Sequence, residues 1–161
     1  MTTISNLATG DVITEAYVDS VTNALNRVGC FLARLATQSI ASGTGTYTAI
    51  SFDTESSDTN GFFAPTSDTI TVPSGYDGIY AITCAVTWAS SPGANSIIEV
   101  LHAGATAYNR TVVTAATQMT VCGITAVLAL AATETIKIRV SQGSGGAINA
   151  TASFQMWRIA L

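Results

Sequence analysis

Charge is what this 161-residue chain has least of. Asp, Glu, Lys and Arg together make up 10% of it, against about a quarter in an ordinary globular protein. The net charge is −4, and the six cationic side chains are scattered with no basic run. That pattern excludes a nucleic-acid or anionic-membrane partner held by electrostatics. No window of about 18 apolar residues exists, so no segment reads as a membrane-spanning helix. The opening MTTISNLATGDV has neither the basic start nor the apolar centre of a secretory signal. The expected route outward is therefore assembly and release, not secretion.

Catalytic and ligand-binding residue types are equally sparse. Three cysteines, Cys30, Cys84 and Cys122, form neither a disulfide framework nor a zinc pattern. Cys84 and Cys122 sit in alternating apolar runs and read as buried thiols. One histidine, His102 in EVLHAGA, reads as a surface or capping residue rather than a base. No Ser-His-Asp set follows from a single His. QGSGGAIN has the glycines of a phosphate loop, but it lies between strands and lacks the Lys. The acidic residues beyond residue 60 are isolated, which disfavours a hydrolase with paired carboxylates. The chain reads as a non-enzyme without a cofactor.

The densest polar cluster is FDTESSDTNG. Asp53, Glu55, Asp58 and Asn60 offer hard oxygens at a spacing that suits calcium. The loop signature is incomplete, and turns capped by side-chain-to-backbone hydrogen bonds are the favoured reading. Asp53, Glu55 and Asp58 stay as weak calcium candidates. Tyr76, Tyr108 and Trp157 are the aromatics placed to meet a sugar. Trp157 alternates with Ile159 and Leu161 and reads as core or interface. Phe62 and Phe63 are adjacent, which predicts one inward and one at a subunit contact.

What fills the chain instead is Thr, Ala, Ser and Gly, a composition that suits exposed β-sheets. The exception comes first. In AYVDSVTNALNRVGCFLARL, Val18, Val21, Leu25, Val28, Leu32 and Leu35 are spaced 3, 4, 3, 4, 3. That spacing predicts a helix whose seam meets other helices. Thr14 and Glu15 suit its start, and Gly29 inside it costs about 1 kcal/mol. At under three heptads it needs copies already held together. Residues 1–36 are thus an anchor segment with a heptad helix, and 37–46 a linker rich in Ser, Thr and Gly.

From Tyr47 the period becomes two. In GIYAITCAVTW the bulky Tyr80, Ile82, Cys84, Val86 and Trp88 share one face and small residues the other. In IKIRVSQ, Ile136, Ile138 and Val140 point one way, Lys137 and Arg139 the other. TYTAISF, SIIEVLHA, TAYNRTVV, QMTVCGITAVLAL and ASFQMWRIAL read as further strands. SSDTNG, PSGYDG, SSPGAN and QGSGGAIN read as turns. The fold class is mostly β: an antiparallel jelly-roll sandwich over 47–161, preceded by a short N-terminal helix that trimerises.

ITVPSGYDGIYAITCAVTW, LAATETIKIRVSQGSGG and SFQMWRIAL resemble the early, late and closing strands of the complement subcomponent q and tumour necrosis factor family. TGDVITEAYVDSVTNALNRVGCFL and QSIASGTGTYTAISFDTESSDTNG are similar to virion proteins of tailed bacteriophages: minor tail proteins, head fibres and capsid decorations. The first resemblance implies a homotrimeric jelly roll. The second implies a virion location, with capsid or tail proteins as partners. Together they imply a short structural appendage anchored by its N-terminal segment. The alternative is an adhesin or receptor-binding knob that recognises a host glycan or protein.

Overall fold

The computed structural model describes residues 28–43, 45–93, 96–102, 106–113 and 121–161, with 106–113 described by their backbone. Among the described residues there are ten strands: β1 Gly29–Ile40, β2 Thr48–Ala49, β3 Thr54–Asp58, β4 Ile70–Thr71, β5 Gly78–Trp88, β6 Ser96–His102, β7 Thr106–Val113, β8 Val121–Leu130, β9 Thr135–Ser141 and β10 Ile148–Ala160. They form two antiparallel sheets. The first runs β3-β1-β10-β5-β8; the second runs β2-β9-β6-β7, with β4 also on β9. There is no helix among the described residues.

Alternation builds the first sheet. Along β5, Tyr80, Ile82, Cys84, Val86 and Trp88 are buried while their neighbours are not. β8 repeats the pattern with Cys122, Ile124, Ala126, Leu128 and Leu130. β9 contributes Ile136, Ile138 and Val140 from the second sheet. Each such side chain withdrawn from water stabilises the fold by about 1.5–3 kcal/mol. Aromatic rings knit the two layers. Phe52 lies 5.5 Å from Phe154 and 6.3 Å from Phe63, and Phe62 lies 5.9 Å from Tyr80. Phe62 and Phe63 are therefore both in the core, not one in and one out. They stand outside regular strand, with Phe63 only bridging Ile70, so strict alternation does not apply to them. Burial pushes the Tyr80 hydroxyl up to about 12 and raises all three cysteines. The thiols are free and inert.

The predicted helix meets its correction here. Val18, Val21 and Leu25 lie outside the described residues, but Leu32 and Leu35 stand in strand β1, and Val28 immediately precedes it. Residues 37–40, expected in a linker, continue the same strand. Val28, Cys30 and Leu32 are buried at alternate positions, and Leu35 is 67% exposed. A spacing of four is even, so Val28 and Leu32 fit one face of a strand as well as a helical seam. Hydrogen bonding to β10 decides between them, through nine registered pairs from Gly29↔Trp157 to Ile40↔Ile148. Gly29, a cost in a helix, is a requirement here. A Cβ at Gly29 would stand 2.0 Å from the Met156 carbonyl oxygen.

The acidic cluster organises the chain around β1. Between Arg34 and Gln38 the pairing with β10 slips. The freed N–H groups of Leu35 and Ala36 donate to the two Asp53 oxygens at 2.9 Å each. The Gln38 amide bridges to the Ala49 carbonyl (2.7 Å) and accepts from the Ser51 N–H (3.0 Å). Strand β3, TESSD, pairs with β1 although it carries no buried side chain.

Candidate self-association surface

Both sheets spend one face on the shared core. Their outer faces differ, and the first sheet's outer face is the candidate site. Its outward residues come from β1, β10, β5 and β8 in cross-strand rows. One row is Gly29–Trp157–Ala81–Val127, the next Phe31–Gln155–Thr83–Thr125, and the next Ala33–Ser153–Ala85–Gly123. No Asp, Glu, Lys or Arg stands in any of these rows.

The rows are graded. At the Trp157 end, Trp157 is 37% exposed and Val127 52%, with Phe31 and Ile79 beside them. Further along, hydroxyls, an amide and the small residues Ala85 and Gly123 take over. Between Phe31 and Trp157, where Gly29 has no side chain, the face dips into a cleft of 280 Å³ lined by Ser57 and Gln155 as well. An uncharged face with several exposed large apolar groups is the composition of a protein contact surface. Trp157 thus stands on this outer face and not in the core.

The second sheet's outer face is held by ion pairs instead. Arg139 Nε donates to Glu99 Oε2 at 2.6 Å, and its guanidinium lies 4.1 Å from the Tyr47 ring centre. Glu99 is 2% exposed. Lys137 donates to both Asp68 oxygens, at 2.9 and 3.1 Å. That hydrogen bond holds the Asp68 carboxyl below its ordinary value.

The remaining expected site residues serve structure. His102 Nε2 is 2.9 Å from Glu134 Oε2, and Glu134 also accepts from the Ala131 N–H at 2.8 Å. The Ala131 N–H and then His102 lower the Glu134 pKa. The pair pins the β8–β9 turn to the end of β6. Of the calcium candidates, desolvation pushes Asp53 up, but the Leu35 and Ala36 N–H groups, Thr54 and Arg34 outweigh it and lower its pKa. Asp58 accepts from the N–H groups of Asn60, Gly61, Phe62 and Phe63 at 2.8–3.2 Å. Glu55 is exposed. No group of three His, Cys, Asp or Glu side chains that would hold a metal occurs among the described residues. The turn QGSGG is closed by buried Gln142, which donates to Ile40 and Gly146 carbonyls and accepts from the Ser144 N–H.

The outer face was legible as alternation in β5, β8 and β10. The contributions of Gly29 and Phe31 were not, because they had been assigned to a helix.

No family model matches the chain, and no curated protein matches it by sequence. Solved structures do match in fold. The globular domain of zebrafish complement 1qA superposes with a TM-score of 0.62 at 16% identity, over 82% of this chain and 97% of that one. The vertex protein P5 of phage PRD1 gives 0.60 at 17% identity, over 82% and 98%. Murine APRIL gives 0.56 at 13% identity, over 79% and 98%. At these identities the likeness speaks for the fold, and the chain carries a jelly-roll sandwich of the complement 1q and tumour necrosis factor type.

Proposed function

We propose that this chain is a structural protein of a bacteriophage virion. It is a homotrimeric surface appendage, a capsid decoration or head fibre, and not an enzyme. The observation that carries the reading is the uncharged outer face of the first sheet. Isolated, that face leaves Trp157, Val127, Phe31 and Ile79 partly in water. Packed against copies of itself about an axis, it becomes the apolar centre of an obligate assembly. The low charge of the whole chain fits a molecule that meets its own copies. The likeness to a phage vertex protein supports the location, alongside the resemblance of residues 9–32 and 38–61 to tailed-phage virion proteins. Residues 1–27 supply the attachment to a capsid or tail protein.

The second reading, an adhesin that recognises a host glycan, shares the same trimer. A polar cleft away from the contact face favours it, as argued below.

The test is the mass of the purified chain in solution, followed by labelling on intact particles. Three copies at micromolar concentration, and label on the particle surface, are expected. A stable monomer at that concentration removes the self-association reading. Trimers that never co-purify with particles remove the virion role while leaving the trimer.

A further inference from the structure

We propose that a cleft at one end of the sandwich binds a carboxylate-bearing sugar, with Arg158 as the group that recognises the carboxylate. The cleft encloses 410 Å³ between the start of β1, the β3–β4 and β4–β5 loops and the end of β10. Arg158, Tyr76, Asn60, Thr59 and Ser74 line it.

Arg158 is set apart by its charge balance. Arg34 faces Asp53 at 3.4 Å, His102 faces Glu134 at 2.9 Å, Lys137 faces Asp68 at 2.9 Å and Arg139 faces Glu99 at 2.6 Å. Among the described residues Arg158 has no such carboxylate. Among the described residues its guanidinium makes a long hydrogen bond, 3.4 Å from Nη1 to the Asp77 carbonyl oxygen. The side chain is half-buried. Its stem passes over Gly78, where a Cβ would stand 2.7 Å from Cδ. The stem is therefore held, and the guanidinium is presented 5.8 Å from the Tyr76 ring centre. A partly desolvated guanidinium with unused donors is suited to a planar carboxylate, which it binds through two parallel hydrogen bonds.

The rest of the cleft selects the body of the ligand. The Asn60 amide donates to the Tyr76 hydroxyl at 2.8 Å and accepts from the Thr59 hydroxyl at 2.7 Å, which fixes both polar groups at the rim. With the Ser74 hydroxyl they can exchange hydrogen bonds with sugar hydroxyls, against the apolar edge of Tyr76. The volume suits one sugar ring or two, more than a bare anion fills. The net charge of −4 and the neighbouring Asp77 disfavour a dianion such as phosphate. The site is independent of self-association. Trp157 points onto the contact face, and Arg158, the next residue, points the opposite way.

Calorimetric titration of the full chain with glucuronate, N-acetylneuraminate, glucose and inorganic phosphate tests the proposal. The two sugar acids should bind saturably, and glucose and phosphate roughly tenfold more weakly or worse. Arg158→Gln, which keeps the stem over Gly78, should weaken the sugar acids at least about tenfold. Ser74→Asp, on an exposed turn, should do the same by like-charge repulsion without touching the core. Equal binding of glucose and glucuronate, tighter binding of phosphate, no saturable binding of either acid, or indifference to both substitutions would each overturn it.

Discussion

The two sheets of this sandwich bury similar side chains against each other and treat the solvent in opposite ways. The second sheet's outer face is a lattice of ion pairs, Arg139 with Glu99 and Lys137 with Asp68. The first sheet's outer face has hydroxyls, small residues and a patch of Trp, Val, Phe and Ile. A face meant for water tolerates charge cheaply, whereas a face meant for another copy must avoid charges it would have to desolvate. The second sheet thus carries charge in satisfied pairs, one of them around buried Glu99, while the named rows of the first sheet carry none.

The largest way to sharpen that contrast is to put the same charge on opposite faces of one strand pair. Ile82→Asp places a carboxylate at a position with no exposure, with an expected loss of more than about 4 kcal/mol and no cooperative thermal transition. Next comes the charged face: Arg139→Leu removes a hydrogen-bonded cation from buried Glu99 and should cost on the order of 2–3 kcal/mol in urea unfolding. Lys137→Leu, beside the more exposed Asp68, should cost less than about 1 kcal/mol. Val127→Asp stands one position from Ala126, the partner of Ile82. It should leave the subunit folded but weaken each contact between copies by about 2 kcal/mol, read as a shift to lower mass on dilution. A Val127→Asp chain that unfolds like Ile82→Asp would erase the distinction between the faces.

Acid should act on loops and the charged face before the core. Asp53, Asp68 and Glu134 are all lowered from ordinary values of 3.8, 3.8 and 4.5. Groups with depressed folded values stabilise above the unfolded value, and that contribution disappears as the pH falls through the folded one. Stability should thus be flat above about pH 5 and decline below about pH 4, with Asp68→Asn flattening the decline. The smallest expected effect is at the joint between the sheets. Thr133, in the β8–β9 turn, is a β-branched residue at φ 70°, and Thr133→Gly should raise stability by up to about 1 kcal/mol.

The strands were legible where alternation was strong. In β5, β8, β9 and β10 a bulky residue at every second position can only mean one buried face. TESSD was not legible, since strand β3 has no inward apolar residue and exists because the edge of β1 supplies hydrogen-bond partners. Asp58 does what the favoured turn reading expected and caps nearby backbone N–H groups, whereas the reach of Asp53 to the Leu35 and Ala36 N–H groups of β1 was not legible. Arg158 drew no notice as one of six cations. Its distinction is that no carboxylate pairs with it among the described residues, and pairing is a property of three dimensions.

By itself, then, the order of amino acids determined the fold class of the molecule: two-residue periodicity and scarce charge follow from side-chain chemistry along one line. Only the tertiary structure decided what residues 28–40 become. Val28 and Leu32, four apart, serve a helix or a strand equally, and the choice fell to the unpaired edge of β10, whose carbonyls and N–H groups needed a partner and accept one only where Gly29 lets the backbones meet.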